Sequence, residues 1–294
     1  MNSRLRDGAL VESYDGQGGA IRFLYGTALG RTLLRPLIRP RFSKFMGFLL
    51  STRLSALAVK GFIRKNRIDM SDYPPKKYRS FNDFFTRTIR EGAREIDPEP
   101  AHLIAPCDSK LTAVQLTEDA RFLIKGVEYT ARSLLRDHRL SEAFSGGTLL
   151  IFRLSVDDYH HYICPCDGVQ GVPTVIPGVF HTVNPYAAGL RPIYRENTRE
   201  YTCVQTAYGR LLQMEVGALM VGKITNLLGP GQVKRGQEKG YFEFGGSTVL
   251  LMAEPDMIRL DEDILRNSAA GDETVVKMGE RIGSFNEKHS GPLV

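Results

Sequence analysis

The segment KRGQEKGYFEFGGSTVLLMA (residues 234–253) changes character near its middle. Its first part is charged and rich in glycine, whereas STVLLMA (247–253) is a β-branched and apolar run that predicts a strand. Comparable runs, LTAVQL (111–116), GTLLIFRL (147–154) and YTCVQTAY (201–208), alternate with Gly and Pro turns. From about residue 101 onward, the chain is therefore predicted to be mainly β.

The serine that opens this strand is preceded by two glycines, and the junction has two interpretations. FGGST lacks the Gly-Lys-Ser/Thr ending of a P-loop and the GxSxG of a nucleophile elbow. The simpler interpretation is a turn that enters a strand. The other is that two residues without Cβ leave the Gly246 carbonyl open to attack by the Ser247 hydroxyl within a strained turn. Such an attack would exchange the peptide bond for an ester and could cut the chain.

The 294 residues carry 39 basic and 33 acidic side chains, and the basic excess is concentrated in one place. Between Ile21 and Arg67 there are eleven Lys and Arg residues and no acidic residue. Apolar residues recur there at helical spacing, and Pro36 and Pro40 interrupt the pattern, so two or three short helices are expected. Residues 1–20 are expected to form a loose arm.

A basic amphipathic segment of this kind has three interpretations. It suits the surface of an anionic membrane, where Lys and Arg meet lipid phosphates and the apolar face enters the headgroup boundary. It can equally be a helical layer packed on the domain with its charges in water. Nucleic acid is the weakest candidate, because no recognised binding motif accompanies the charge. No stretch reaches the 18 or so apolar residues of a membrane span.

The composition narrows the class of protein. With 42% hydrophobic and 24% charged residues, the chain is globular and not disordered. Four cysteines are too few for a disulfide scaffold, and the N-terminus lacks the apolar region of a secretory signal, so a reducing cytoplasmic setting is expected. A helix is predicted from Ser80, its N-cap, over SFNDFFTRTIREGAR (80–94). The predicted fold is α+β, with N-terminal basic amphipathic helices (1–100) packed on a largely antiparallel β catalytic domain (101–294).

The segment DDYHHYICPCDG (157–168) holds two of the six histidines. His160 and His161 follow a strand-like run, and adjacent residues on extended chain point to opposite sides, so only one of them would face a given pocket. The neighbouring acidic residues favour acid–base chemistry only weakly. Cys164 and Cys166 do not form a zinc site, because no second ligand pair is present. We therefore expect no metal, and interpret all four cysteines as buried small residues.

Several segments together resemble the phosphatidylserine decarboxylase family, the pyruvoyl-dependent enzymes that make phosphatidylethanolamine. They occur in the family's order and cover about residues 20–255: FNDFFTR (81–87), REIDP (94–98), APCDSKL (105–111), DDYHHYICPCDG, PGVFHTVNP (177–185), VGALMVGKI (216–224) and KRGQEKGYFEFGGSTV (234–249). In APCDSKL, Ser109 stands where glycine is usual in the family.

The resemblance implies a proenzyme that cuts itself between Gly246 and Ser247 into a large chain (1–246) and a small chain (247–294). Ser247 would become the pyruvoyl cofactor, which forms a Schiff base with phosphatidylserine and releases CO2. The family uses an Asp–His–Ser relay for cleavage, and Asp108 matches the aspartate. The usual cleavage histidine is replaced here by Ile163. His160, which matches the family's other histidine, is therefore the first candidate for the base.

His161 and then His181 follow as candidates for the base, and impaired maturation is the remaining explanation of Ile163. The resemblance also implies a peripheral protein on the cytoplasmic face of the cell membrane, with phosphatidylserine and the anionic bilayer as partners and no nucleic acid. Homodimerisation enters by family analogy alone. Two alternatives stay open: a family member acting on another amino acid or amine lipid, and an uncleaved lipid-binding protein that has lost the relay.

Overall fold

The computed structural model describes residues 2–11, 18–124, 126–219, 223–243 and 247–286. Gly246, the upstream half of the predicted cleavage site, lies outside these ranges. The helices, in chain order, are α1 Gly18–Gly26, α2 Ala28–Leu37, α3 Pro40–Leu50, a 3-10 helix Arg53–Ala58, α4 Val59–Lys65, α5 Phe81–Phe85, α6 Ala131–Leu135, α7 His138–Glu142, α8 Pro185–Ala188, α9 Ile193–Glu196 and α10 Glu262–Ala269.

The strands outnumber the helices and most of them lie in the C-terminal two-thirds. In chain order they are β1 Ser3–Arg4, β2 Leu10–Val11, β3 His102–Ile104, β4 Ser109–Gln115, β5 Arg121–Ile124, β6 Val127–Thr130, β7 Thr148–Leu154, β8 His161–Ile163, β9 Gly168–Gln170, β10 Thr174–Ile176, β11 Arg199–Gln205, β12 Arg210–Gly217, β13 Ile224–Asn226, β14 Gly231–Val233, β15 Glu238–Phe242, β16 Ser247–Ala253, β17 Ile258–Leu260, β18 Glu273–Val276 and β19 Arg281–Phe285.

One long sheet organises the molecule. Its strands run in the order β14-β9-β11-β12-β16-β7-β4-β18-β1-β2, with β10 beside β11. Two three-stranded sheets, β13-β15-β8 and β17-β19-β3, and the β5-β6 hairpin complete the β structure. Every pairing of these named strands is antiparallel except that of β1 with β18. The α+β prediction with a largely antiparallel sheet is confirmed.

The strand predicted from STVLLMA occupies the centre of the long sheet. All seven residues of β16 are buried, and each pairs with β12 on one side and β7 on the other. The apolar, β-branched sequence suits this position, because a central strand is covered on both faces. The runs predicted around residues 111, 147 and 201 also form strands, as β4, β7 and β11.

The N-terminal helices pack on the domain in two places. Ile21, Tyr25 and Leu34 of α1 and α2 bury their side chains against Ala187 of α8. Further along, Val59 of α4 packs with three phenylalanines of α5. No single helix in the described ranges is long and apolar enough to cross a membrane; only Pro40–Leu50 taken together with Arg53–Lys65 is, and these two helical stretches are bent by 79°.

Three local predictions need correction. The basic segment forms four α-helices and a 3-10 helix, not two or three helices, and α2 runs one residue past Pro36 instead of ending before it. The loose arm is wrong for residues 2–11, which form β1 and β2 in the long sheet. Ser80 does cap a helix, with Oγ accepting from the Asp83 amide at 3.1 Å, but α5 ends at Phe85. All three phenylalanines of α5 are buried, in one cluster with Val59 and Ile68.

Candidate active site

Several residues that the sequence identifies lie along one edge of the long sheet, the edge formed by the first residues of β16 and β4 and the last residues of β7 and β12. Strand β16 begins there with Ser247, whose register partners are Leu154 at the end of β7 and Gly217 at the end of β12. On the other side of β7, strand β4 begins directly after Asp108. Because neighbouring strands lie about 4.8 Å apart, the β4 and β16 backbones are separated by about 10 Å.

Ser247 is fully buried, and its Oγ has no hydrogen-bond partner among the described residues. A buried hydroxyl without a partner is costly, and such a group is often kept for a chemical role. The peptide bond upstream belongs to residues outside the described ranges. The side chain itself is therefore held at the start of a rigid central strand, directly after the predicted cut.

His160 lies at the same edge, at the end of the turn that follows β7. Its carbonyl oxygen accepts a hydrogen bond from Phe242 at 3.0 Å, which links it to the strand that leads toward Ser247. Its Nδ1 lies 2.9 Å from the carbonyl oxygen of Asp158, and its ring centroid lies 4.2 Å from that of Phe85. The ring is fully buried, and Nε2 has no partner within the described part of the chain.

The protonation state of His160 follows from this environment. A carbonyl oxygen can only accept, so Nδ1 carries the hydrogen and Nε2 carries the lone pair. Burial, with the positive charge of Arg87 as the next cause, lowers the pKa of His160 to about 3. The imidazole is therefore neutral at physiological pH, with a basic nitrogen that nothing else in the described structure occupies.

The ring nitrogens of His161 are both engaged. Nδ1 lies 2.6 Å from Oε1 of Glu238 and Nε2 lies 3.3 Å from the carbonyl oxygen of Thr86. The ring is stacked between Tyr159 and Tyr241, with centroids at 4.6 and 5.1 Å. This histidine joins β8 to β15 and to the end of α5 and has no free basic atom.

The ring nitrogens of His181 are also both occupied, although its backbone lies beside the end of β12 that pairs with Ser247, where Asn197 Nδ2 donates to the carbonyl oxygens of His181 and Gly217 at 2.8 Å each. The Tyr25 hydroxyl lies 3.0 Å from Nδ1, and Oε2 of Glu196 lies 3.1 Å from Nε2. Since the Thr182 amide donates to the same hydroxyl at 3.1 Å, the Tyr25 proton is free to be donated to His181. The histidine thus fixes helix α1 to the segment that follows β10. Of the three candidate histidines, His160 alone has an unoccupied nitrogen within the described residues.

Asp108 is buried in an ion-pair cluster. Its carboxylate receives the Arg94 guanidinium through Nε at 2.9 Å and Nη2 at 2.6 Å, and the Met278 amide at 2.9 Å. Lys277 Nζ lies 3.4 Å away. Burial alone would raise the pKa of Asp108, but Arg94 and Lys277 outweigh it and hold the pKa below its usual value. Among the described residues its carboxylate contacts no histidine.

Ile163 fills an apolar position near this cluster. It is 3% exposed and packs with Tyr73, Ile104, Tyr159 and Met278, while its amide donates to the Pro106 carbonyl at 2.9 Å. A histidine is absent from the position that the family resemblance would give one. Asp108 is therefore paired with cations instead of orienting an imidazole.

Two buried ion pairs beside the site were not anticipated from the sequence. Lys110 Nζ lies 2.7 Å from Asp158 Oδ2, and so fixes the turn whose carbonyl orients His160. Lys239 Nζ lies 2.6 Å from Glu215 Oε1, and both side chains are essentially inaccessible to solvent. Glu215 is two residues from Gly217 on β12, so its side chain shares a sheet face with that of Ser247. The sequence hinted at these pairs only by placing a charged residue, such as Glu215, within a run that otherwise predicts a strand.

The cysteine interpretation holds for three of the four residues. Cys107, Cys164 and Cys166 are buried, whereas Cys203 is partly exposed on β11. Burial raises the pKa of Cys164 to about 11, as expected of a packed thiol. Within the described ranges, no three His, Cys, Asp or Glu side chains converge in a way that could hold a metal ion.

Comparison with known proteins agrees with the motifs. Residues 81–284 match the family model described as phosphatidylserine decarboxylase. The chain is 46% identical over 273 residues to phosphatidylserine decarboxylase proenzyme 2 of Clostridium acetobutylicum, covering 92% of this chain and 94% of that protein. The chain belongs to the phosphatidylserine decarboxylase family.

Other members of the phosphatidylserine decarboxylase family are similar over the same length. The proenzyme of Fusobacterium nucleatum is 37% identical, with 92% of both chains covered. That of Ruminiclostridium cellulolyticum is 36% identical, with 93% of both chains covered. The family prediction from the sequence motifs is confirmed, and the similarity extends upstream of the matched family region into the helical segment.

Proposed function

We propose that this protein is a phosphatidylserine decarboxylase that matures by cutting itself between Gly246 and Ser247. Family membership supports the activity. The observation that carries the maturation step is the pair of buried atoms at one sheet edge, Ser247 Oγ and His160 Nε2, each without a partner in the described structure. The Ser247 hydroxyl must lose its proton to act as a nucleophile, and His160 Nε2 can accept that proton.

In the first step, Ser247 Oγ attacks the carbonyl carbon of Gly246 while His160 Nε2 takes the hydroxyl proton. The C–N bond of the peptide then breaks, the Ser247 nitrogen receives a proton, and an ester joins the two residues. His160 is suited to this role because it is neutral, its Nδ1 is fixed by the Asp158 carbonyl, and Nε2 is the only ring nitrogen left to act.

The ester can then break by elimination. His160 Nε2, free again once its proton has passed to the Ser247 nitrogen, would take the proton on the Ser247 α-carbon. The bond between Cβ and the ester oxygen then breaks, the Gly246 carboxylate leaves, and an unsaturated residue remains at the new N-terminus. Exchange of its nitrogen for a water oxygen releases ammonia and gives a pyruvoyl group. The products are a chain of residues 1–246 and a chain of residues 247–294.

The chain offers a fitting position for that group. Ser247 is buried at the first position of β16, and β16 pairs with β12 and β7 along its whole length, so the new N-terminus stays fixed after the cut. When present, a pyruvoyl ketone supplies the electron sink that decarboxylation needs. His160 Nε2, which carries no hydrogen of its own, would take a proton from water and pass it to the carbon left by CO2.

An enzyme with a lipid substrate must bind the bilayer surface that holds the lipid. The basic helical segment has the charge and the exposed apolar side chains for such binding. Eight large apolar side chains are exposed along it, and all eleven charged residues between Ile21 and Arg67 are basic. The exposed apolar residues are Phe23, Leu29, Leu33, Phe45, Phe48, Leu49, Leu54 and Leu57. We propose that this surface holds the enzyme on the cytoplasmic face of the cell membrane, against anionic lipid.

The intact mass of the purified, denatured protein tests the proposal. We expect two chains that break after residue 246, with the small chain lighter by one ammonia than its serine form. Ser247→Ala should give one uncut chain and no release of CO2 from phosphatidylserine vesicles. A single full-length mass for the unmodified protein would contradict self-cleavage and favour an uncleaved lipid-binding protein. Homodimerisation stays a prediction, which sedimentation would test.

A further inference from the structure

The first described residues of the chain lie on its last strands. Residues 2–11, here called the N-terminal arm, add β1 parallel to β18, with Ser3 opposite Glu273. The Glu273 amide also donates to the Asn2 carbonyl at 3.0 Å. Strand β2 then folds back on β1. The arm therefore covers what would otherwise be an open edge of β18, and Ser3 of the arm is itself buried.

Two arginines of the arm supply its charges. Arg4 Nε lies 2.7 Å from Asp272 Oδ2. Arg6 reaches three carboxylates: Asp261 at 2.9 Å, Glu280 at 3.1 Å, and Asp263, to which its Nε donates. All four of these ion pairs join the arm to residues downstream of Ser247.

Arg6 neutralises much of the negative charge of the carboxylates around it. The Arg6, Asp261 and Asp263 side chains are 26%, 19% and 16% exposed, so they are only partly screened by water. Arg281 also contacts Asp261 at 2.9 Å, but its side chain is more exposed. Loss of Arg6 would leave Asp263 and Glu280 without the cation that they share, close to another carboxylate.

We propose that the N-terminal arm is a clasp that retains the part of the small chain beyond β16 after self-cleavage. The inference rests on the proposed cut between residues 246 and 247. Strand β16, the first seven residues of the small chain, is held between β12 and β7. Further along the small chain, β18 lies between β4 of the large chain and β1 of the arm. Helix α10 directly precedes β18. The clasp binds an acidic surface of the chain's own C-terminal fragment through a strand edge and two arginines.

The test compares Arg4→Ala/Arg6→Ala with Arg121→Ala in the mature enzyme. Arg121 is a matched control, since its partners Asp119 and Glu128 both belong to the large chain. Each protein is passed through a size-exclusion column at rising urea, and the small chain is followed on denaturing gels. We expect it to separate from the large chain at lower urea in the arm variant than in the control. Release at the same urea concentration from the arm variant, the control variant and the unsubstituted enzyme would overturn the clasp.

A second measurement keeps failure of the clasp apart from failure of cleavage. In the uncut Ser247→Ala protein, the arm substitutions should speed amide hydrogen exchange of residues 258–285 by about tenfold, with β16 unchanged. Asp263→Asn/Glu280→Gln should do the same if the arm variant does not fold. Unchanged exchange would overturn the clasp even in a chain that never cleaves. Uncut wild-type protein with the expected exchange would instead contradict only the proposed maturation.

Discussion

The Nδ1 atom of His160 lies 2.9 Å from the carbonyl oxygen of Asp158, two residues earlier in the chain. This contact decides the tautomer, because a carbonyl cannot donate, and it leaves Nε2 as the acceptor. Since Lys110 holds the Asp158 side chain at 2.7 Å, the orientation of the ring is fixed by a residue on β4. The histidine is built as a neutral base.

His160→Asn should block self-cleavage. The asparagine amide can still donate to the Asp158 carbonyl, but no atom replaces Nε2 as a base. A general base contributes about 10²- to 10⁴-fold, so processing should slow by at least that lower factor in a timed gel assay. His161→Gln and His181→Gln serve as controls and should still cleave. Normal processing of His160→Asn would exclude His160 as the base.

The same histidine predicts a pH dependence of stability. Its pKa is about 3 when folded and 6.5 in the reference state, so between those values the unfolded chain alone binds the proton. Stability from this group is complete above pH 6.5 and falls by about 1.4 kcal/mol per pH unit below it. In the uncut Ser247→Ala protein, urea unfolding should show this group costing about 2 kcal/mol at pH 5.0 relative to pH 7.5. Adding His160→Asn should remove that difference; an identical pH dependence would refute the assignment.

The buried pair of Glu215 and Lys239 should behave as a unit. Lys239→Met alone leaves the Glu215 carboxylate buried with the Asn226 amide at 3.4 Å but no cation, and should lower the free energy of unfolding by about 3–5 kcal/mol. Glu215→Leu/Lys239→Met removes both charges and should recover most of that loss. Urea unfolding of the uncut protein measures both. If the loss of unfolding free energy in the double variant equals the sum of the losses in Glu215→Leu and Lys239→Met, the two residues are not coupled.

Lys110 should act through His160 and not on the substrate. In Lys110→Met, Asp158 loses its cation, the turn between β7 and β8 loosens, and self-cleavage should slow by about tenfold or more. Lys110→Met/Asp158→Asn should restore part of the rate, because the Asp158 backbone carbonyl remains. Gel time courses on both variants decide this. A double variant slower than the single one would place the role of Lys110 elsewhere.

Binding to anionic vesicles should depend on the exposed leucines of the helical segment. Leu54 and Leu57 are 79% and 84% exposed. Leu54→Ser/Leu57→Ser should weaken binding to phosphatidylserine-containing vesicles on the order of 10- to 100-fold in a sedimentation assay. Val172→Ser/Val175→Ser, at 75% and 61% exposure outside the segment, is the matched control. Equal binding by both variants would show that the segment does not dock.

Several features could be predicted from local sequence alone. The run STVLLMA identified the central strand and placed Ser247 at its start, because a β-branched and apolar stretch favours a strand buried on both faces. Ser80 was identifiable as an N-cap from its position before an apolar helix. The family followed from motifs that are themselves local. In each case the deciding residues lie within about ten positions of one another.

Tertiary structure decided the rest. The arm of residues 2–11 has no helical or alternating apolar pattern, and it is ordered by β18 and by carboxylates more than 250 residues away. Asp108 was identifiable as a site residue, but its pairing with Arg94, 14 residues earlier, and with Met278, 170 residues later, depends on how the loops around it fold together. The three candidate histidines are distinguished by the partners of their ring nitrogens: both nitrogens of His161 and of His181 have partners, whereas Nε2 of His160 has none among the described residues. Sequence fixes local conformation through short-range sterics and hydrophobic pattern, whereas the partners of a buried polar atom depend on strand register and turn geometry across the whole fold.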